Sequence, residues 1–208
     1  MIETANGVIL RTRPLTETSL IVNWLTAEQG RISTVAKGAR RPKSPFAGKL
    51  DLFYEAEFSF TRSKRSELHA LREVSLKETH SPLRQEMGWL QQASYATALI
   101  EQATERETPL PGIHELLRGL LAHLPNHPPQ PRTIYAFELK LLEELGLHPE
   151  TEDTKLTVAT AELLTALTQS DWAELASLSA TAAQAKELRQ FLHGFLIYHL
   201  GKIPKGRP

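Results

Sequence analysis

The feature that most restricts the fold is a change of hydrophobic period near residue 80. Upstream of it, apolar residues alternate. The run "YEAEFSFT" sets Tyr54, Ala56, Phe58 and Phe60 on one side and Glu55, Glu57 and Ser59 on the other, and "ELHALREVSLK" repeats this with Leu68, Ala70, Val74 and Leu76. The runs "GVILRTRPL", "SLIVNWLT" and "RISTVAKG" are rich in β-branched and aromatic residues and are parted by turn residues. Period-two alternation between turns is the signature of half-buried antiparallel strands. Five such runs suit a small closed barrel; the OB-fold is the commonest five-stranded choice, and an SH3-like barrel fits the same pattern.

Downstream the spacing turns helical. Ser81-Pro82 is a start signal, and Leu83, Met87, Leu90, Tyr95 and Leu99 follow at helical intervals. Further helices are expected in "GIHELLRGLLAHL", "RTIYAFELKLLEELG", "TAELLTALTQ" and "ATAAQAKELRQFLHGFLIYHLG". The connector "PNHPPQP" cannot sit inside a helix, and Gly146 is placed as a helix-ending residue. The expected fold is therefore α+β and multidomain: a five-stranded OB-fold β-barrel over residues 1–80, then an α-helical bundle over 81–208.

A formal net charge of zero hides an asymmetry. Residues 1–80 carry 13 basic against 9 acidic side chains, and the rest carry 11 against 15. Between Arg31 and Lys49 the basic residues Arg31, Lys37, Arg40, Arg41, Lys43 and Lys49 meet no acid until Asp51. Such a run points to an anionic partner. The segment "GARRPKS", Gly38–Ser44, echoes a phosphate-cradling loop, but Pro42 stands before Lys43 and has no N–H to donate. A nucleotide pocket is rejected. A loop that tracks a nucleic-acid backbone is retained, with Arg62, Lys64 and Arg65 in a later turn and Arg11 and Arg13 on the first strand as additional contacts. Phe46, between Pro45 and Ala47 in the basic loop, is the candidate for stacking on a base. The other aromatics of this half, among them Trp24 and Phe58, are assigned to the barrel core.

Signals for chemistry are missing. The chain has no cysteine, so it has no disulfide, no thiolate nucleophile and no cysteine zinc site. His123 and His127 have a ligand-like spacing, but Pro125 lies between them and they read as loop histidines. Glu101 and Glu105, like Asp51 and Glu55, do not form an acid–base pair. No apolar run approaches the ~20 residues that cross a bilayer, and "MIETANGVIL" is no signal peptide. A cytosolic binder without cofactor, membrane contact or catalysis is expected.

The stretch "RTRPLTETSLIVNWLTAEQGRISTVAKGARRPKSPFAGKLDLF" resembles the N-terminal domain of the RecO family of bacterial recombination mediators. The matching features are Arg13, Glu17-Thr18-Ser19-Leu20, Leu25-Thr26, Gly30-Arg31 and Val35 through Arg40. Phe137-Glu138-Leu139 through Leu142, Leu145-Gly146 and Pro149 are similar to the family's central helix and its exit, and "YHLGKIPKGRP" to its closing segment. The resemblance implies an OB-fold followed by a helical domain, located in the bacterial cytoplasm at the nucleoid. It implies binding of single- and double-stranded DNA, annealing of complementary strands, and help in placing RecA on DNA covered by single-strand binding protein. It implies RecR as a partner, and docking of the acidic C-terminal tail of single-strand binding protein on the helical domain. For that tail the candidates are Arg132, Tyr135, Phe137, Leu139 and Lys140. Many members carry a four-cysteine zinc module where this chain has only "ETEDTKLTVAT", so no zinc is carried over. A flexible basic loop that screens phosphates would serve annealing. An RNA-binding OB module, or a protein adaptor with incidental DNA contact, are the other readings.

Overall fold

A computed structural model of the chain describes residues 2–149 and 156–207. Half of the segment expected to replace the zinc module, 150–155, lies outside the described residues. The chain divides into two compact units. One contains the residues up to Ser81 together with Thr104–Arg118, and the other contains Pro82–Ala103 and the residues from Gly119 onward.

The first unit is a closed barrel of five strands: β1 (Ile2–Pro14), β2 (Leu20–Thr26), β3 (Gly30–Ala36), β4 (Glu55–Thr61) and β5 (Leu68–Glu78). Their order around the barrel is β1-β2-β3-β5-β4, with β1 pairing β4 to close it. All neighbours are antiparallel except β3 and β5, which pair in parallel through Ser33–Leu68 to Val35–Ala70. That parallel pairing is the OB-fold arrangement and decides against the SH3-like alternative. The alternation in β4 is real: Ala56, Phe58 and Phe60 are buried. Trp24 stacks on Phe58 at 4.0 Å, and its indole N–H donates to Thr34 Oγ1 at 2.8 Å, so the largest core side chain leaves no polar atom unpaired.

In β5 the expected face holds only in part. Phe60 pairs with Leu71 and Ser59 with Glu73, which leaves Arg72 as an extra residue. This bulge shifts the phase by one, so His69 and Leu71 point inward before it and Val74 after it. Leu68 and Ala70 therefore lie on the other face from Val74.

One segment of the first unit comes from beyond the barrel sequence. Residues Thr104–Leu110 run along the barrel as a strap. The Glu107 N–H donates to the Arg31 carbonyl at 3.0 Å, and the Leu110 N–H to that of Ala27 at 3.0 Å. The strap passes so close to Gly30 that a Cβ there would lie 1.7 Å from the Thr108 carbonyl oxygen, and φ at Gly30 is +63°. Only glycine fits on both counts.

The helical elements are α1 (Met87–Ala103), preceded by a 3-10 turn at Ser81–Gln85, then α2 (Pro111–His123), α3 (Pro131–Glu144), α4 (Val158–Gln169) and α5 (Ala182–Leu200). Helix α2 opens in the first unit and ends in the second. Met87, expected on the buried face, is 75% exposed, because the 3-10 turn uses up the residues before it and α1 begins there. In the second unit, Tyr135, Leu139 and Leu142 of α3 pack with Leu163, Leu164 and Leu167 of α4 and Leu188, Leu192 and Leu196 of α5. Each fully buried leucine stabilises the unit by roughly 1.5–3 kcal/mol. Thr181 and Gln184 form a reciprocal capping box at the start of α5, and Gly201 closes it at φ +75°. Gly146 takes the expected left-handed conformation after α3, φ +70°.

Glu138 of α3 is completely buried. Arg207 holds both its oxygens, at 2.7 and 2.6 Å, and the Tyr95 hydroxyl donates to Oε1. Burial, with the carboxylate beside it, pushes the Tyr95 phenol well above its ordinary range. The residues after α5 are thus tied back to its core.

Candidate nucleic-acid interface

The β3–β4 connection, residues 37–54, carries the basic run, and it is not loose. Successive turns close it: the N–H groups of Arg41, Ser44, Ala47 and Lys49 donate to carbonyls three residues earlier, all at 3.0–3.1 Å. Two anchors hold it to the barrel. The Arg40 N–H donates to the Thr18 carbonyl in the β1–β2 turn at 3.0 Å. Phe46 inserts its ring into the barrel core and is 6% exposed. The expectation of an exposed stacking ring at Phe46 is corrected here, as is that of a flexible loop. Burying the Phe46 ring among the core side chains of the barrel stabilises it by roughly 1.5–3 kcal/mol in the free protein, which an exposed ring awaiting a base would forgo.

The consequence is a fixed display of charge. Lys37, Arg40, Arg41 and Lys43 are exposed on the loop, and Arg13 is exposed on the outward side of β1. Arg40 Nη1 donates to the Thr16 carbonyl at 3.4 Å, which ties the loop to the turn that follows Arg13. Among the described residues, none of these five cations is in an ion pair. Arg11, also exposed, lies on the same side of β1 two residues earlier. Beside the loop, a cavity of about 350 Å³ is lined by Pro45, Phe46, Lys49, Glu57, Arg72 and Glu73, among others. Lys49 is half-buried there and donates to the Val74 carbonyl at 3.1 Å.

The structure does not gather all the expected cations. Leu20 pairs with Ala36 at the end of the barrel that bears the basic loop, whereas Gly7 pairs with Thr26 toward the other end. Arg31, Arg62, Lys64 and Arg65 belong to that second end. Two of them are occupied. Arg31 Nε donates to Thr104 Oγ1 at 2.7 Å, and its Nη2 to the Thr104 carbonyl. Arg62 binds Glu3 through two bonds of 2.8 and 2.9 Å, Glu107 at 2.8 Å and Gln29 at 2.9 Å. Its hydrogen bond to Glu3 lowers that carboxyl below its ordinary range and raises the guanidinium. His69 lies beside the cluster: the Ser63 N–H donates to Nδ1 at 3.3 Å, and Nε2, which makes no hydrogen bond among the described residues, is 3.1 Å from Glu107 Oε1. Arg31 and Arg62 hold the strap, a role the sequence did not signal because its partners lie 73 and 45 residues away. Lys64 and Arg65 stay exposed in the β4–β5 turn.

The five residues considered for an acidic tail also divide. Arg132 and Tyr135 line a groove of about 250 Å³ whose apolar walls include Leu163, Leu167, Leu178 and Leu188. The Arg132 guanidinium donates to the carbonyls of Leu178 and, at 3.1 Å, Ala176, and meets no carboxylate. It therefore stands at an apolar groove held by two carbonyls and, among the described residues, in no ion pair. Phe137 and Leu139 are 0% and 1% exposed. They are core residues of α3, whose residues 133–139 are all buried. Lys140 is not at the groove either: its Nζ donates to the carbonyls of Thr168 and Ser170 at 2.6 and 2.7 Å, capping the end of α4. Its partial burial lowers its pKa. His123, expected in a loop, is the buried last residue of α2 and stacks on His127 at 4.1 Å. Among the described residues no cluster of three or more potential metal ligands forms, and no helix is long and apolar enough to cross a membrane.

Residues 1–80 match the family model described as "Recombination protein O N terminal", and residues 90–154 and 149–208 match "Recombination protein O C terminal". The chain is 28% identical over 230 residues to a DNA repair protein RecO of Anaeromyxobacter dehalogenans strain 2CP-C, covering 94% of this chain and 91% of that protein. It is 34% identical over 143 residues to the RecO of Anaeromyxobacter sp. strain K, covering 69% of this chain and 56% of the relative. Against the RecO of Listeria monocytogenes serotype 4b, strain CLIP80459, it is 33% identical over 148 residues, 71% of this chain and 57% of the relative. The latter two alignments thus span little more than half of those relatives.

Proposed function

The chain belongs to the RecO family of DNA repair and recombination proteins, and on that premise we propose that it is a strand-annealing DNA binder acting in the bacterial cytoplasm at the nucleoid. Its role is physical and not catalytic. It grips single- and double-stranded DNA by the phosphates, lets complementary strands pair, and with RecR assists the placement of RecA on strands covered by single-strand binding protein. The observation that carries this reading is the pinned loop with Lys37, Arg40, Arg41 and Lys43 exposed and, among the described residues, in no ion pair, beside Arg13. Phosphate contacts of this kind fix affinity without reading sequence. They leave base edges free to pair.

The groove between α3, α4 and α5 supports the partner half of the proposal. An acidic, apolar peptide end needs an apolar trough with a cation at its mouth, and Arg132 with Leu163, Leu167 and Leu188 supplies that. The tail of single-strand binding protein is the proposed occupant.

The test is annealing of complementary oligonucleotides across a salt series, comparing the protein with an Arg40→Ala/Arg41→Ala/Lys43→Ala variant. Five cations on a single strand correspond to a log–log salt slope of about −3.5, or roughly a hundredfold loss of affinity between about 50 and 200 mM salt. The variant is expected to lose annealing and to bind with a slope shallower by about 2. Unchanged slope and annealing would remove the loop from the interface.

A further inference from the structure

Helix α5 carries more aromatic surface than its core face requires. Leu188, Leu192 and Leu196, four residues apart, form the buried face. On the adjoining flank Phe191 and Phe195 are half-buried and pack against the core cluster, and Tyr198 is 84% exposed. The rings run in a series. Phe191 and Phe195 are 5.7 Å apart, Phe195 and His199 4.3 Å, and Tyr198 meets His199 edge-on at 4.9 Å. A helix flank facing water is ordinarily polar, and the exposed rings of Tyr198 and His199, at the end of a partly covered series, mark a surface that something covers.

The charge around the rings says what could cover them. From Leu188 to Arg207 the sequence has no acidic residue and four basic ones. Arg207 is occupied by Glu138, whereas Arg189, Lys202 and Lys205 are exposed. Lys202 follows the Gly201 cap, just beyond the end of the helix. Rings in series with exposed cations suit an unpaired nucleic-acid strand, whose bases stack on π faces while its phosphates seek positive charge. A duplex hides its base faces and gains nothing from the rings.

We infer that the flank of α5 formed by Phe191, Phe195, Tyr198 and His199, with Lys202 and Lys205, is a second single-strand-binding surface that holds bases by stacking. The inference rests on the reading of the chain as an annealing protein and deepens it. Annealing is favoured when one molecule holds two strands, and the barrel loop is one phosphate grip. Stacking engages the face of a base and leaves its pairing edge open, so a strand held on α5 is still competent to pair.

The experiment uses the full chain and oligo(dT) carrying 5-iododeoxyuridine. Trypsin cuts after Arg189 and Lys202, so one peptide, 190–202, holds every ring of the series. Ultraviolet cross-linking is expected to mark that peptide. Tyr198→Ala is expected to weaken oligo(dT) binding about five- to tenfold, at the low end of one base stacked on one ring, with duplex binding unchanged. Tyr198→Trp is expected to bind like the original. The same loss is expected when Tyr198→Ala is placed on the Arg40/Arg41/Lys43 triple-alanine background. No cross-link in 190–202, together with unchanged affinity in both backgrounds, would overturn the inference whatever the loop variant does. Equal loss on single strands and duplex, or a Tyr198→Trp protein as weak as Tyr198→Ala, would also overturn it. A loop variant without effect beside a weakened Tyr198→Ala would instead remove the loop and keep α5.

Discussion

Replacing Arg207 by methionine isolates the cost of a buried charge. Glu138 is 0% exposed, and Arg207 supplies two of its hydrogen bonds and all of its neutralising charge. With methionine at 207, only the Tyr95 hydroxyl still donates to the carboxylate. Removing one partner of a buried pair costs about 3–5 kcal/mol, because the remaining charge stays desolvated. At a urea dependence of about 2 kcal/mol per molar, the unfolding midpoint falls by about 2 M. The second variant is Glu138→Gln/Arg207→Met. Glutamine keeps an acceptor for Tyr95 but removes the stranded charge, so the double variant should recover about 2 kcal/mol of the loss. The assay is urea unfolding followed by far-ultraviolet circular dichroism at neutral pH. A single variant within about 1 kcal/mol of the original would refute the reasoning, and so would a double variant less stable than Arg207→Met. The first result would mean that the segment after α5 does not bear on the helical core, and the second that the stranded charge is not the source of the loss.

Three other outcomes follow from local geometry. Burial, then the neighbouring His127 and Arg132, lowers the His123 pKa from 6.5 to about 4. The unfolded chain therefore takes up a proton there before the folded one does, and up to about 3 kcal/mol of stability, complete above pH 6.5, is lost as the pH falls to 4; His123→Phe should flatten the unfolding free energy across that window. Gly30→Ala forces a Cβ into the Thr108 carbonyl at a positive φ, so the barrel should lose on the order of 2–4 kcal/mol and amides 104–110 should exchange faster. Arg132→Ala should weaken binding of an acidic peptide with an apolar C-terminal residue at least tenfold by calorimetry, while Lys140→Met, which removes only the cap on α4, should leave that affinity within twofold.

Much of the barrel is legible in the sequence because strand faces are local facts. Ala56, Phe58 and Phe60 announce their burial by alternation alone, and Phe46 does not, since its place in the core depends on a gap left by other strands. The bulge at Arg72 is invisible for a similar reason: an extra residue shows only against its partner strand. The basic run is obvious, yet its split into displayed and occupied cations is not. Arg31 and Arg41 look alike in sequence, and only the strap distinguishes them. On α3 the apolar residues Phe137 and Leu139 satisfy any motif for a groove, but a helix buried all round gives no sign of which side stays open. Arg132 and Tyr135, at its first turn, are the ones that reach the opening.

The strap has a bearing on how such a protein is taken apart. A fragment ending at Ser81 contains all five strands but none of Thr104, Glu107 or Leu110. Arg62 would lose Glu107, Arg31 its hydroxyl partner, and the cleft over Gly30 its filling. Such a fragment would be less stable because it is damaged, and the deficit would be credited to the missing helices. Sequence order and structural ownership diverge here, and residues 104–118 must travel with the barrel for the two halves to be compared fairly.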